Sequence, residues 1–99
     1  MKASIFKVKN IEQWKEWCHK LNTTFRDDAL KTLKEEKVTH EFFLLFKLND
    51  EYYTLGGGEG EFLPASDTEL NREHKRQMKG CLEYIGPVDE LYNLHEETG

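Results

Sequence analysis

Residues 38–60 have the sequence VTHEFFLLFKLNDEYYTLGGGEG, and this stretch decides the fold. From Val38 to Leu48 the side chains alternate with a period of two, which is typical of a β-strand. Both faces of this segment are apolar in the middle. We therefore expect helices to cover one side and a second sheet or a partner subunit to cover the other. Asn49-Asp50 supplies turn residues, so Glu51 to Leu55 is predicted as the second strand of a hairpin.

The glycine run Gly56 to Gly60 follows directly on this second strand. Glycine removes side-chain volume and permits positive φ, so a run at a strand end predicts a bend, a bulge or the close approach of another group. A phosphate loop would need a lysine and a helix directly after the glycines, and Glu59 and Glu61 would repel an anion. We expect the run either to bend the strand toward the second helix or to leave open space near His74.

The segment before the hairpin supplies one strand and one long helix. Ala3 to Lys9 has a strand-like composition. Apolar residues between Ile11 and Leu33 recur at spacings of three and four, which indicates an amphipathic helix. Thr24 lies among weak helix formers and leaves open a kink or a second helix start at this point.

The segment after the hairpin supplies the second helix and the last strand. Ser66 and Glu69 have the spacing of a capping box, which predicts a helix that runs to about Leu82. Gly86-Pro87 is then expected to break the chain, and Glu90 to Leu94 is predicted as the last strand.

The resulting order, β-α-β-β-α-β, is that of the ferredoxin-like split unit, an α+β fold with a four-stranded antiparallel sheet and two helices on one face. One face of such a sheet stays bare. The apolar residues on both faces of the second strand therefore predict a homodimer through the sheet face, which is a dimeric α+β barrel.

Composition limits the domain organisation and the partners. The 99 residues, of which 37% are hydrophobic, predict a single domain over residues 1–99. The net charge is −5 and the basic residues are dispersed, so we expect neither a nucleic-acid partner nor an anionic membrane. No apolar stretch approaches the roughly 20 residues of a membrane span, and no signal-peptide core is visible, so a cytoplasmic location is expected. Cys18 and Cys81 lack metal-type spacing and are expected to be reduced, buried thiols.

Single residues scattered over most of the chain also carry a family resemblance. They are Ala29, Leu30, Thr32, Leu33, Glu36, Val38, Glu41, Phe43, Tyr53 and the helix segment from His74-Lys75 to Cys81-Leu82. On these residues the chain resembles a bacterial family of uncharacterised proteins, the domain of unknown function 6176 family. That family is placed here within the dimeric α+β barrel superfamily, which includes small monooxygenases, haem-degrading monooxygenases and sugar mutarotases. The resemblance implies fold and assembly, because the family has no established activity to transfer. The chain departs from the expected pattern at Gly56 to Gly60, where larger side chains are expected.

His74 is the most interesting titratable residue. It shares the inner stripe of the second helix with Leu70, Met78 and Cys81, and it could act as a general base or as a metal or haem ligand. Haem-degrading relatives place a histidine on the second helix, a similarity of position only. The alternative is a hydrogen-bonded core or interface histidine, which is favoured because no second ligand is evident. We therefore predict no metal and no cofactor.

Glu41 lies mid-strand between apolar neighbours, where an ionised carboxylate is costly unless it is paired. It is either structural, paired with Arg26 or His74 or across a dimer, or an acid or base that faces a pocket. Tyr52 and Tyr53 alternate faces, so one of them is expected to line the cavity that Glu41 faces.

Two functions from different classes remain open at this point. The first, which is favoured, is a dimeric binding or structural module with a pocket for a small organic ligand, near Trp17, Tyr52, Gly57 and Gly58. The second is a cofactor-poor enzyme, monooxygenase-like or mutarotase-like, with His74, Glu41 and Tyr53 as catalytic residues. The two differ in whether the three catalytic candidates converge in space.

Overall fold

The computed structural model describes residues 1–96. In this range it contains four strands and three helices, in the order β1 (Lys2–Val8), α1 (Ile11–Asn22), α2 (Arg26–Glu35), β2 (Val38–Leu48), β3 (Glu51–Gly60), α3 (Glu69–Cys81) and β4 (Leu82–Val88). The strands form one antiparallel sheet in the order β2-β3-β1-β4. The fold is therefore α+β, with β2 and β4 at the two edges of the sheet.

The helices cover one face of this sheet. The buried core joins Trp14 and Trp17 of α1 to Cys81 at the end of α3, and Phe6 and Phe43 pack against it from the sheet. The opposite face carries the side chains that alternate along each strand with the helix-facing ones. We call it the open face, and its residues on the three strands β1, β2 and β3 include Ile5, Phe42, Leu44, Phe46, Leu48, Tyr53 and Leu55. Leu44 is 57% exposed and Leu48 is 56% exposed, so no segment within residues 1–96 covers these two side chains of the open face.

The glycine run forms the second half of β3, which ends at Gly60, so the strand continues through the glycines and does not stop before them. Gly56 pairs with Ser4 of β1 on one side and with Phe43 of β2 on the other. There is no room for a side chain at this position. A Cβ atom at Gly56 would collide with the aromatic ring of Phe43, and one at Gly57 would lie 2.7 Å from the carbonyl oxygen of Lys2. The expected open space near His74 is therefore wrong for Gly56, because the Phe43 ring occupies the room that this glycine provides.

The predicted long helix is two helices, so the structure has three helices where two were expected. The break falls at residues 23–25, where the sequence left a kink open. The Thr23 hydroxyl donates to the carbonyl of His19 at 2.7 Å, and the backbone N–H of Phe25 donates to the carbonyl of Lys20 at 2.8 Å. These bonds satisfy carbonyls in the last turn of α1, which ends the helix.

The start of α3 also differs from its predicted cap. The Thr68 hydroxyl accepts a hydrogen bond from the backbone N–H of Asn71 at 3.2 Å, so Thr68 is the N-cap. Ser66, the predicted cap, instead donates its hydroxyl to Glu35 at 2.9 Å. The long-range contact with α2 thus removes Ser66 from the local capping role.

The predicted last strand, Glu90 to Leu94, is wrong, because β4 is formed by Leu82–Val88 and residues 89–96 have no regular structure. Pro87 is compatible with a strand here because β4 is at the sheet edge, where a missing N–H leaves no ladder bond unmade. The pairing with β1 also shifts register between Ile5 and Phe6, next to Gly86. Because of this irregularity, Gly86-Pro87 is accommodated within the strand and does not end it as expected.

Replacing Gly56 with alanine is expected to lower the free energy of unfolding by about 1–3 kcal/mol, because the added methyl group overpacks the Phe43 ring. Urea denaturation followed by circular dichroism measures this change. Gly80→Ala is the matched control, since nothing lies within 4 Å of a Cβ at Gly80 and α3 gains a better helix former. Equal effects of the two substitutions would contradict the packing of Phe43 on the glycine.

Candidate functional site

His74 is hydrogen-bonded to Trp17. The indole Nε1–H of Trp17 donates to Nδ1 of His74 at 2.9 Å, and the two ring centroids are 6.0 Å apart. Trp17 is 3% exposed and also packs against Phe25, with ring centroids 5.9 Å apart. The contact joins α1 to α3 within the core, and this is the structural alternative that the sequence favoured for His74.

The hydrogen bond fixes the chemistry that His74 can perform. An Nδ1 that accepts from Trp17 carries no proton, so the imidazole is neutral in this arrangement. Burial lowers the pKa of His74 below its ordinary value, which favours the same neutral form. Protonation would break the Trp17 contact and bury a charge, so His74 is poorly suited to exchange protons near neutral pH.

Glu41 lies on the helix-facing side of β2, opposite Gly58. Part of the Glu41 residue is exposed to solvent. Neighbouring atoms desolvate its carboxyl group, which raises the pKa of Glu41, and the nearby Glu36 raises this pKa further. Within residues 1–96, no hydrogen bond or ion pair joins Glu41 to Arg26 or His74. The surroundings of Glu41 thus hold an acidic neighbour and not the basic partner that the sequence suggested.

The two tyrosines lie on opposite faces of the sheet. Tyr53 is on the open face, where its hydroxyl donates to Glu51 at 3.1 Å. Tyr52 is on the helix-facing side, as Glu41 is, but its partner on β2 is Lys47, six residues along from Glu41. Six residues of strand span about 20 Å. The structure therefore does not bring Glu41 together with either tyrosine.

The remaining predicted ligand-binding residues are also separated. Trp17 is core, and Tyr52 packs at the edge of the core with the ammonium of Lys47 5.4 Å from its ring centroid. Gly57 and Gly58 lie within the β2-β3-β1 sheet, where neighbouring chain atoms occupy the space beside them. These four positions do not line a common cleft.

A cleft does lie between α1 and the β2-β3 hairpin, with a volume of about 260 Å³. Its apolar wall is formed by Trp14, Phe43 and Leu45, and Thr54 lies on the same side with its hydroxyl already donated to the carbonyl of Leu44 at 2.9 Å. The other lining residues come from one face of α1 and are Lys15, Cys18, His19 and Asn22. The cleft thus combines an aromatic wall with a polar rim from a single helix.

The thiol in this cleft is not a nucleophile at neutral pH. Burial raises the pKa of Cys18 to about 11, with a smaller contribution from the neighbouring Cys81. A protonated thiol is a weak nucleophile and a poor metal ligand. Cys18 therefore acts as a small apolar lining residue.

Sequence reasoning did not find this cleft. Its rim residues recur at spacings of three and four on α1, but without the position of the hairpin that pattern describes only the side of a helix. The alternation along β2 puts Phe43 and Leu45 on one face of the strand, yet nothing in the sequence indicates that the space between them and Lys15 stays open. Within the described range, no cluster of three or more His, Cys, Asp or Glu residues could hold a metal ion.

A charged network lies at one end of the open face. The Lys7 ammonium is 3.1 Å from Glu51, which also accepts the Tyr53 hydroxyl. The hydrogen bond from Lys7 lowers the pKa of Glu51, and the hydrogen bond to Glu51 raises the pKa of Tyr53. All three groups are solvent-accessible, so the network holds Tyr53 in place more than it stabilises the fold.

The neutral state of His74 predicts a pH dependence. Because the pKa of His74 is lower in the folded chain than its ordinary value of 6.5, its contribution to stability is complete above that value and is lost as the pH falls below it. We expect the stability advantage of the wild type over His74→Gln to shrink as the pH is lowered from about 7.5 to 5.5. Urea denaturation of both proteins across this range measures the difference. An advantage that stays constant or grows toward acid pH would contradict the assignment.

The comparisons with known proteins identify the family alone. A family model described as a family of unknown function, DUF6176, matches residues 2–96. No curated protein and no solved structure matches the chain. In the described part of the chain, no helix has the length and apolarity needed to span a membrane. The match covers nearly the whole sequence and confirms the family that the scattered residues indicated: the chain belongs to the family of unknown function DUF6176.

Proposed function

We propose that the chain is a homodimeric binding module of the ferredoxin-like, dimeric α+β barrel type. The open face of one copy packs against the open face of the second copy, and the cleft beside Trp14 binds a small organic molecule. The observation that carries the proposal is the apolar open face, where Leu44 and Leu48 have no cover within residues 1–96.

The composition of the open face supports an interface. Phe42, Leu44, Phe46 and Leu55 form a continuous apolar surface across β2 and β3, and Phe46 stacks on Tyr53 with ring centroids 5.7 Å apart. Soluble monomers rarely expose contiguous apolar patches of more than a few hundred Å². Contact with a second copy removes this surface from water.

The size of the open face also fits a dimer. Four strands about 4.8 Å apart and about eight residues long give a sheet face of roughly 19 by 26 Å, or on the order of 500 Å². Two such faces bury roughly 1,000 Å² or more in total, which reaches the lower limit of specific interfaces. The Lys7–Glu51–Tyr53 network lies at the end of this area and supplies the polar rim that interfaces usually have.

The strand order supports the ferredoxin-like assignment. In the sheet β2-β3-β1-β4, the strand β3 separates β1 from β2, and β1 separates β3 from β4. Each of these is a split β-α-β unit, with α1 and α2 in the first connection and α3 in the second. The extra helix arises from the break at residues 23–25 and leaves the connectivity of the fold unchanged.

The cleft favours a ligand with an apolar, preferably aromatic, body and one acidic group. Trp14 and Phe43, whose rings meet edge to face at 5.3 Å, offer flat surfaces for the body. Lys15, His19 and Asn22 at the rim can donate hydrogen bonds to a carboxylate. The two thiols are free, as is typical of a reducing compartment, which supports a cytoplasmic location.

The enzyme alternative receives no support from the geometry. Its three candidates lie in different places: His74 is bonded to Trp17 in the core, Glu41 is near Glu36, and Tyr53 is on the other face of the sheet. A catalytic site needs its groups within hydrogen-bond reach of one reacting centre.

Replacing Leu44 with glutamate is expected to disrupt the dimer. The substitution removes two buried leucines per dimer, at about 1.5 kcal/mol or more each, and should raise the dissociation constant at least about 100-fold. Sedimentation equilibrium at micromolar concentration measures this change against the 11.7 kDa monomer.

Leu45→Glu is the matched control, because Leu45 is the next residue on β2, is 41% exposed and faces the helices. We expect this variant to remain dimeric. A wild-type chain that sediments as a monomer at high micromolar concentration would overturn the proposed assembly, and equal dissociation by both variants would remove the open face as its site.

Ligand binding is expected to depend on Lys15. A thermal-shift screen of small aromatic carboxylates should find compounds that raise the unfolding temperature of the wild type, because binding to the folded state stabilises it. Lys15→Glu should abolish the shift. Lys20→Glu, on the same helix but outside the cleft, should retain it. A shift that survives Lys15→Glu would place the ligand elsewhere.

A further inference from the structure

The C-terminal arm, residues 89–96, leaves large apolar side chains in water. Leu91 is 91% exposed, Tyr92 is 81% exposed and Leu94 is 85% exposed, the highest values among the exposed large hydrophobic residues of the described chain. The arm follows β4 directly and has no regular structure. Three such residues within four positions are unusual for a solvated tail, because leucine and tyrosine side chains stabilise a segment only when they are buried against another surface.

One ion pair joins the start of the arm to its own copy. The N-terminal ammonium of Met1 is 3.3 Å from the carboxylate of Glu90, which fixes the start of the arm beside β1 and β4. Beyond this point the apolar side chains make few contacts with their own chain, as their exposure shows. Within residues 1–96 nothing covers these side chains, so they are accessible to another molecule.

A groove of about 540 Å³ lies between α2 and the start of β2. Leu30, Leu33 and Val38 form its apolar floor, and two lysines and one acid, Lys34, Lys37 and Glu61, stand at its rim. Its volume falls within the range of roughly 300–1,000 Å³ that is common for ligand sites. Leu30 is 49% exposed here whereas Val38 is 8% exposed, so within residues 1–96 the uncovered part of the floor is at Leu30.

The groove borders an unpaired sheet edge. Val38 and Thr39, which line it, are the first residues of β2, and β2 pairs only with β3 in the described sheet. The outer backbone groups of an edge strand can accept an added extended segment, while side chains of that segment enter neighbouring pockets. An extended partner therefore fits this site better than a compact one.

The charges of arm and groove are complementary. The arm is acidic because it contains Asp89, Glu90 and Glu96. At the groove, Lys34 makes no ion pair within residues 1–96, and Lys37 forms an exposed ion pair with Glu61 at 3.7 Å. The sheet order separates the arm, at the β4 edge, from the groove of its own copy at the β2 edge by two intervening strands.

We propose that the C-terminal arm of one copy docks in the α2–β2 groove of a second copy. The leucines of the arm cover Leu30 and Leu33, and its acidic residues face Lys34 and Lys37. This inference rests on the proposed dimer, and it adds a second contact region outside the open face.

Crosslinking between two differently tagged full-length chains tests the proposal. Both carry Cys18→Ser, and Cys81 is fully buried and stays in place. One chain carries Leu30→Cys and the other Leu94→Cys, and the mixture is treated with a short bismaleimide crosslinker. We expect a heterodimeric product, and about tenfold less of it when Lys34→Glu and Lys37→Glu are added to the Leu30→Cys chain. Lys75→Cys in place of Leu30→Cys, at an exposed position on α3, is the control for random collision and should give little product.

The outcomes separate this inference from the dimer itself. If the wild type sediments as a dimer but the Leu30→Cys mixture gives no more product than the Lys75→Cys control, docking of the arm is overturned and the open-face dimer stands. If a single chain that carries both Leu30→Cys and Leu94→Cys gives only internally crosslinked monomer, docking in the second copy is overturned. A wild type that is monomeric at high micromolar concentration overturns both the dimer and the docking.

Discussion

The contact between the Phe43 ring and the backbone at Gly56 organises the helix-facing side of the sheet. The ring lies where a side chain on β3 would otherwise stand, and from there it meets Trp14 of α1 at 5.3 Å and Phe6 of β1 at 6.2 Å. One aromatic side chain of an edge strand thereby joins the two central strands and a helix. The glycine makes this possible, because any Cβ at that position would exclude the ring.

This packing also sets where a ligand and a partner can bind. Since the Phe43 ring lies against β3, a cleft remains beside the ring. Trp14 forms one wall of this cleft, and the polar face of α1 forms its rim. On the other side of the sheet the same alternation places Phe42 and Leu44, of which Leu44 is 57% exposed. The two proposed contacts of the chain, with a small molecule and with a second copy, therefore arise from opposite faces of the same strand.

The sequence predicted the parts of the structure that depend on local periodicity. The two-residue period of β2 placed that strand at its observed ends, and the inner stripe of α3 was assigned to Leu70, Met78 and Cys81, all of which pack against the core. Failures arose where a distant residue intervened. Ser66 does not cap α3 because Glu35 binds it, and Gly86-Pro87 enters a strand because β1 pairs with it. The arm has the composition of a strand, but no strand of its own copy pairs with it.

The candidate site shows the same limit more clearly. Patterns of residue type identified His74 as inward-facing, and the structure places it in the core, but only the fold shows that Trp17 occupies its Nδ1. The alternation of Tyr52 and Tyr53 on β3 predicted that one of them shares a face with Glu41. The distance between that tyrosine and Glu41, however, depends on the register of the hairpin. An open cleft is a volume that no side chain fills, and a sequence carries no direct signal for it.

The central claim is that the open face is the contact between two copies. Isotope-filtered nuclear Overhauser spectra of a mixture of ¹³C-labelled and unlabelled chains test it most directly, since only contacts between copies give a signal. We expect cross-peaks between copies from the methyl groups of Ile5, Leu44 and Leu55. A dimer that shows such cross-peaks only from methyl groups on the helix-facing side would contradict the claim, as would the absence of any cross-peak between copies at millimolar concentration.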